Sequence, residues 1–139
     1  MTKKILITAL VFCSLNSFSQ TTKKENAIDA LESKCLNAPN ISNAEMCNCT
    51  IQAREAWDKE LNKYYGLLKI KLSTKAFAVL QQSQKEWMLY RDKEYAFISK
   101  FYYEVQSGTM WYTVAENQKK EIVKTRALEL QQYFKMMDF

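Results

Sequence analysis

One stretch of the chain carries charged side chains where a helix would normally be apolar. Residues three or four positions apart share one helical face, and here that face is polar at Gln84, Arg91 and Glu94 but apolar at both ends. Arg91 and Glu94 are three residues apart and can meet directly. Buried charges are costly unless they are paired. The pattern therefore indicates either an internal ion pair or an exposed binding patch, and the sequence leaves both open.

The neighbours of this pair extend it into a candidate binding group. Trp87 lies on the same face, where a tryptophan is more often a core anchor than a platform for a ligand. Tyr90 and Asp92 flank Arg91 on other faces. The first candidate group is therefore Trp87, Tyr90, Arg91, Asp92 and Glu94.

A second candidate binding group lies at the clearest break in the chain, from Gln106 to Trp111. It comprises Ser107, Gly108, Thr109 and Trp111. A loop that contains glycine can present backbone groups to a cleft while the helices on either side stay rigid. We expect contacts with a partner to come from this place.

Catalytic chemistry is poorly supported by the residue types. The chain has no histidine, which excludes Ser-His-Asp and Cys-His catalysis and the helical zinc motif with two histidines. Neither glycine lies in a phosphate-binding loop, and the acidic residues are interleaved with lysine along helix faces. We expect no catalytic residue, no cofactor and no metal site.

Charge and leader sequence favour an exported protein that does not bind nucleic acid. Lys3 and Lys4 precede an apolar run and a small-x-small pattern at Ser17-Phe18-Ser19, which predicts a cleaved signal peptide over residues 1–20. Phe12 argues against a lipid anchor at Cys13. Removing the two lysines lowers the formal charge from +5 to 5 − 2 = +3, without a clustered basic stripe. We expect the rest, residues 21–139, to be one domain without a membrane-spanning run, in a protein that is periplasmic or secreted.

The helical pattern predicts an all-α fold. Ser42 and Glu45 form a capping box that begins a long helix. A second helix is expected over about 74–105, and a third from a Thr109 cap to about Met137. A short helix is expected over about 26–34. The predicted fold is an antiparallel bundle of three long helices, to which this short N-terminal segment is attached by a disulfide.

The far end of the second helix is apolar or aromatic nearly all the way round, from Tyr95 to Tyr103. Such a segment is either sandwiched between helices or exposed for a partner. Core is the more frequent outcome, because a monomer seldom shows a large apolar patch.

Cysteine pairing can be inferred from helical phase. Cys35, Cys47 and Cys49 lie after the leader. Residues two apart on a helix point about 200° away from each other, and Cys49 is in the apolar stripe whereas Cys47 is outside it. We predict a Cys35–Cys49 disulfide, with Cys47 a free thiol or an intermolecular link. A Cys-x-Cys metal site would lack further ligands.

Several motifs together resemble one family. They are Ala44-Glu45-Met46 before Cys49, Asp58-Lys59-Glu60-Leu61-Asn62-Lys63-Tyr64-Tyr65, Gln84 to Glu94, Ser107-Gly108-Thr109 and Thr125-Arg126-Ala127-Leu128-Glu129-Leu130. This combination is similar to the LprI-like family and covers nearly all of the chain after the leader.

The resemblance implies a small helical domain of bacterial envelopes whose best-known namesake is described as a lysozyme inhibitor. It also implies the Cys35–Cys49 disulfide. The usual second pair is missing, because Tyr95 stands at one cysteine position and the partner position, near Gln118, has none. We then expect packing of aromatic residues to hold the junction of the second and third helices.

The expected partner is a protein, either lysozyme or another wall hydrolase. Common lysozymes are basic, so a basic inhibitor would rely on local acidic residues or on shape. The rival hypothesis is an envelope protein that binds another protein or the anionic cell-wall surface without inhibiting lysozyme.

Overall fold

A computed structural model describes residues 26–137, and every regular element in that range is helical. The helices are α1 (Ala27–Leu36), α2 (Asn43–Lys71), α3 (Thr74–Lys100) and α4 (Met110–Lys135), with a π-helical turn (Phe101–Val105) directly after α3. The predicted all-α class, with three long helices and a short N-terminal one, is confirmed. The expected second helix is correct in extent, but its last five residues widen into the π-helical turn.

The helices start where the sequence predicts, but not every predicted capping bond forms. Ser42 and Glu45 form both bonds of the capping box, and the Ser73 hydroxyl accepts a hydrogen bond from the Ala76 amide at the start of α3. Helix α4 begins directly after Thr109, as predicted, but the Thr109 side chain makes no capping bond. Its hydroxyl instead accepts a hydrogen bond from Asn43 Nδ2 at 3.0 Å, which joins the N-terminal ends of α2 and α4.

Contacts along the helices define how they are arranged. Helices α2 and α4 run parallel, because Asn43 meets Thr109 at one end and Tyr64 meets Gln131 near the other. Helix α3 runs antiparallel to both, as expected for consecutive helices joined by short loops. Helix α1 runs antiparallel alongside α2 and α4, and Asp29 and Glu32 reach lysines of α4.

The core lies between α2 and α4. Trp57, Leu61 and Leu68 of α2 pack with Val123, Ala127 and Leu130 of α4, and all six are almost fully buried. The α2 residues follow one another at steps of four and seven, so they occupy one face. Trp87 of α3 is partly buried against this cluster. The pair α2–α4 is therefore the frame on which the other elements rest.

The disulfide prediction is confirmed. Cys35 at the end of α1 is linked to Cys49 of α2, with the Cα atoms 5.9 Å apart, and Cys47 is a free thiol. Among residues 26–137, no helix is both long and apolar enough to cross a membrane. The predicted signal peptide over 1–20 and the Cys13 position lie outside the described residues.

Candidate functional site

The polar face of α3 separates into a buried part and an exposed part. Gln84 is buried and accepts a hydrogen bond from Arg126 Nε at 3.0 Å. Arg126 also donates to Ser83 Oγ and to Glu129 Oε2. The middle of the face is therefore an internal polar cluster at Gln84, but its partner is on α4 rather than on α3 itself.

Arg91 and Glu94 do not form the predicted pair. Arg91 donates from Nε and Nη2 to Asp92 Oδ1, its exposed neighbour in sequence. Its guanidinium lies 5.4 Å from the Trp87 ring centroid and 5.9 Å from that of Tyr95. The partners of Arg91 are therefore all on α3, and Glu94 is half-exposed and not paired with it.

The motif stretches 58–65 and 84–94 meet at a groove between α2 and α3. The groove has a volume of about 410 Å³, and Asp58, Lys59, Arg91 and Tyr95 are among its lining residues. Tyr95 forms its floor next to Arg54, whose guanidinium is 5.6 Å from the ring centroid. Because basic and acidic side chains alternate along the groove, it does not present a field of one sign.

Helix α4 carries three buried basic side chains and a partly buried fourth, Lys124, which the sequence pattern did not single out as a group. Lys120 contacts Glu32 at 2.7 Å, with each side chain only 7% exposed, and Lys124 contacts Asp29 at 2.8 Å. Lys119 contacts Glu116 at 2.9 Å. The remaining one is the Arg126 described above. The pairs of Lys120 and Lys124 fix α1 to α4, since a buried charge needs a partner. A hydrogen bond from Lys119 Nζ to the Tyr103 hydroxyl at 3.2 Å joins the π-helical turn to α4.

A second polar cluster lies where the π-helical turn packs on α4. Glu116 accepts hydrogen bonds from the Tyr103 hydroxyl at 2.8 Å and from Lys119 Nζ at 2.9 Å, and it is 3.2 Å from Arg54. Burial acts to raise the pKa of Glu116, but these donors and charges together outweigh it and hold the pKa below its usual range. Burial also raises the pKa of the Tyr103 hydroxyl, and its bond to Glu116 adds to the rise.

Hydrogen bonds and stacked rings join α3 to α4 at the place where the LprI-like pattern usually has a second disulfide, which this chain lacks. The Tyr95 hydroxyl donates to the Lys119 carbonyl at 3.1 Å, and Gln118 Nε2 donates to the Tyr102 hydroxyl at 2.7 Å. Tyr102 also stacks on Trp111, with the ring centroids 5.8 Å apart. The expectation that aromatic packing holds this junction is confirmed.

The same end of the bundle exposes several apolar side chains, which we call together the junction surface. Its members are Phe97, Phe101, Val105, Met110 and Tyr112. Phe97 is 63% exposed. The prediction that the aromatic end of the second helix is buried in the core is therefore wrong for this part of α3. Helices α2 and α4 cover only one side of α3, and no other described element covers the opposite side.

The second candidate group lies beside the junction surface. Ser107, Gly108 and Thr109 are exposed, whereas Trp111 is half-buried against Tyr102. Gly108 has φ 106°, a conformation that favours glycine. From Trp87 to the π-helical turn there are 14 helical residues, or about 21 Å at 1.5 Å per residue. The structure therefore separates the two candidate groups into different places.

Cys47 opens onto a small cavity at the junction. The cavity has a volume of about 310 Å³ and is lined by Ile51, Tyr103, Tyr112 and Glu116 as well as Cys47. Burial raises the pKa of the Cys47 thiol, and the nearby Glu116 carboxylate adds to the rise. Between Asn26 and Met137, no group of acidic and cysteine side chains is arranged to hold a metal ion.

Comparison with known proteins identifies the family. The model of the family described as "Lysozyme inhibitor LprI" matches residues 35–130. A crystal structure of an uncharacterised protein from Burkholderia thailandensis has a similar fold, with a TM-score of 0.73 and 27% sequence identity over 83% of this chain. The match covers 56% of that protein, so this chain spans little more than half its length. No curated protein matches. The family model covers more than half of the sequence, and the chain belongs to the lysozyme inhibitor LprI family.

Proposed function

We propose that this protein is an exported binding protein that inhibits lysozyme or a related wall hydrolase. It acts by occupying the cleft of the hydrolase and carries out no reaction of its own. Family membership supports a protein partner of this kind. A disulfide between α1 and α2 supports an oxidising compartment, where such bonds persist.

The observation that carries the proposal is the junction surface. Protein interfaces centre on aromatic and apolar side chains that lose contact with water on binding. Here these side chains lie at one end of an elongated bundle, next to the exposed turn at Gly108.

Charge at the junction surface supports recognition by shape. Lys100 and Glu104 form an ion pair with each other, and the segment 97–112 contains no other formal charge. A neutral surface neither attracts nor repels a basic lysozyme. Salt weakens attraction between charges but has little effect on apolar contact. Inhibition is therefore expected to change little as the salt concentration rises.

The test is a titration of the purified protein against lysozyme and against other muramidases and amidases. Turbidity of a cell-wall suspension reports the hydrolase activity, and inhibition should be stoichiometric. Val105→Asp places a charge in the junction surface and should weaken inhibition at least about tenfold, which is roughly 1.4 kcal/mol.

Val79→Asp is the matched control. Val79 is 72% exposed and Val105 is 67% exposed, but Val79 is near the opposite end of α3. The control should inhibit like the parent protein. Thermal unfolding of both variants checks that neither substitution disturbs the fold. No inhibition of any hydrolase at excess protein would overturn the proposed function. Equal inhibition by the two variants would overturn the assignment of the junction surface.

A further inference from the structure

One side of α3 that the other described helices do not cover carries a stripe of exposed side chains. They follow one another at steps of three or four along the helix, with two sequence neighbours at the centre, so they lie on one face. The buried positions of α3, Gln84 and Ile98, lie on a different face. We call the exposed set the α3 stripe: Val79, Gln82, Glu86, Leu89, Tyr90, Lys93, Phe97 and Lys100.

Half of the α3 stripe is apolar or aromatic. Val79, Leu89, Tyr90 and Phe97 are each more than half exposed. Apolar side chains aligned along one helix favour association with another helix, because association removes them from water. The α3 stripe is therefore an uncovered helix face with apolar side chains at its centre and towards both ends.

Two charged members of the α3 stripe have no opposite charge beside them. Lys93 forms no ion pair or hydrogen bond with residues 26–137, and Glu86 only accepts a hydrogen bond from Gln82 Nε2 at 2.9 Å. Glu86 and Lys93 do not pair with each other, since they are two helical turns, or about 10 Å, apart. Both are available to a partner that carries the same two charges in the reverse order.

The α3 stripe is symmetric about the midpoint between Leu89 and Tyr90. Glu86 is three residues before Leu89, and Lys93 is three residues after Tyr90. In an antiparallel pair of identical helices with its two-fold axis at this midpoint, Glu86 of each copy faces Lys93 of the other. Both ion pairs form at once, and no like charges of the stripe meet.

The apolar members match in the same register. Leu89 of each copy meets Tyr90 of the other at the axis. Val79 is ten residues before Leu89, and Lys100 is ten residues after Tyr90. Val79 therefore comes opposite Lys100 and packs beside Phe97, one helical turn away. Ion pairs and apolar contacts thus require the same alignment of the two helices.

We propose that the α3 stripe binds a second copy of this chain and forms an antiparallel homodimer with two ion pairs between Glu86 and Lys93. A second copy is favoured over an unrelated partner because the charges and apolar side chains of the stripe are complementary to themselves. The contact is one face of a single helix, so the interface is small and the dimer should dissociate in the micromolar range.

This proposal does not rest on hydrolase inhibition. Phe97 belongs to both the α3 stripe and the junction surface, so only the monomer offers the whole junction surface to a hydrolase. Below micromolar concentration the monomer predominates, and inhibition is therefore to be titrated there. Failure of either proposal leaves the other standing, because one is measured with a hydrolase and the other with this protein alone.

The test is sedimentation velocity of the purified protein from low micromolar to submillimolar concentration at low salt. The parent protein should change from monomer to dimer over this range. Glu86→Lys places two like-charged pairs in the dimer, and so does Lys93→Glu. Each variant alone should dimerise at least about tenfold more weakly than the parent. Non-reducing electrophoresis checks that the dimer is not linked through the free thiol of Cys47.

An equimolar mixture of the two variants gives the decisive measurement. Glu86→Lys has lysine at both positions and Lys93→Glu has glutamate at both, so both ion pairs form again between one copy of each. The mixture should dimerise about as tightly as the parent, although neither variant does so alone. Mixing would not repair a substitution that disturbed folding.

Glu55→Lys and Lys59→Glu are the matched controls, because they make the same charge changes at exposed positions of α2, outside the α3 stripe. Alone and mixed, they should dimerise like the parent. Each of three results would overturn the proposal: a parent protein that stays monomeric throughout, stripe variants that dimerise as tightly as the matched controls, or a mixture that dimerises no better than its components.

Discussion

The ion pair between Glu32 and Lys120 gives the sharpest test of how this bundle is held together. The Nζ and Oε2 atoms are 2.7 Å apart, and both side chains are only 7% exposed. The pair joins α1 to α4, two helices far apart in sequence. Lys120→Ala would leave the Glu32 carboxylate buried without its cation. Glu121, the other carboxylate near Lys120, is half-exposed and can be solvated instead.

Breaking a buried pair in this way costs about 3 to 5 kcal/mol. For a domain of this size, 1 kcal/mol corresponds to roughly 4 °C in melting temperature. Lys120→Ala should therefore melt about 12 to 20 °C below the parent protein, as measured by far-ultraviolet circular dichroism at neutral pH. The Cys35–Cys49 disulfide should be left intact during the measurement, so that α1 stays covalently attached in both states.

Two further variants distinguish the effect of losing the ion-pair partner from the effect of losing side-chain volume. The double variant Glu32→Leu, Lys120→Met replaces the pair by apolar side chains and should melt close to the parent or above it. Lys63→Ala removes one member of the exposed pair with Glu60 and should leave the melting temperature unchanged. The reasoning would be refuted if Lys120→Ala melted like Lys63→Ala, or if the double variant melted as low as Lys120→Ala.

Two other predictions concern groups at the junction. Because the pKa of Glu116 is held below its usual range, the stability that Glu116 contributes is present above its unfolded pKa and is lost as the pH falls through its folded pKa. Glu116→Gln should therefore lower the free energy of unfolding at pH 7, and the difference from the parent should be smaller at about pH 3. Urea unfolding of both proteins at the two pH values measures this difference. A difference that is the same at both pH values would contradict the prediction. The raised pKa of Cys47 predicts slow alkylation by iodoacetamide at pH 8, with a midpoint of the pH–rate curve above the ordinary value of about 8.5; a midpoint below that value would contradict it.

Helix positions and the disulfide followed from the sequence because they depend on local rules. The capping box at Ser42 and Glu45 acts over three residues, and the apolar stripe of α2 reflects the period of a single helix. The phase difference between Cys47 and Cys49 is also a property of one helix. The start of α4 after Thr109 was also predicted, but the local capping bond did not form, because the Thr109 hydroxyl accepts its hydrogen bond from Asn43, 66 residues away.

The partners of the charged side chains could not be read in the same way. Lys120 and Lys124 look like surface lysines in the sequence, yet their acidic partners lie 88 and 95 residues away on α1. Arg91 contacts Asp92 and the rings of Trp87 and Tyr95, although Glu94, three residues further along the helix, was also within reach. Which side of a helix meets a neighbour depends on the rotation of packed helices, and sequence spacing does not contain that rotation.

The sequence by itself determined an all-α chain, the approximate ends of its helices, the Cys35–Cys49 link and the family. These features rest on helical period, capping and short motifs. The tertiary structure decided which polar residues are internal and which aromatic residues remain exposed. Gln84 became internal because Arg126 faces it, and the end of α3 stayed exposed because α2 and α4 pack mainly against each other and cover only one side of it.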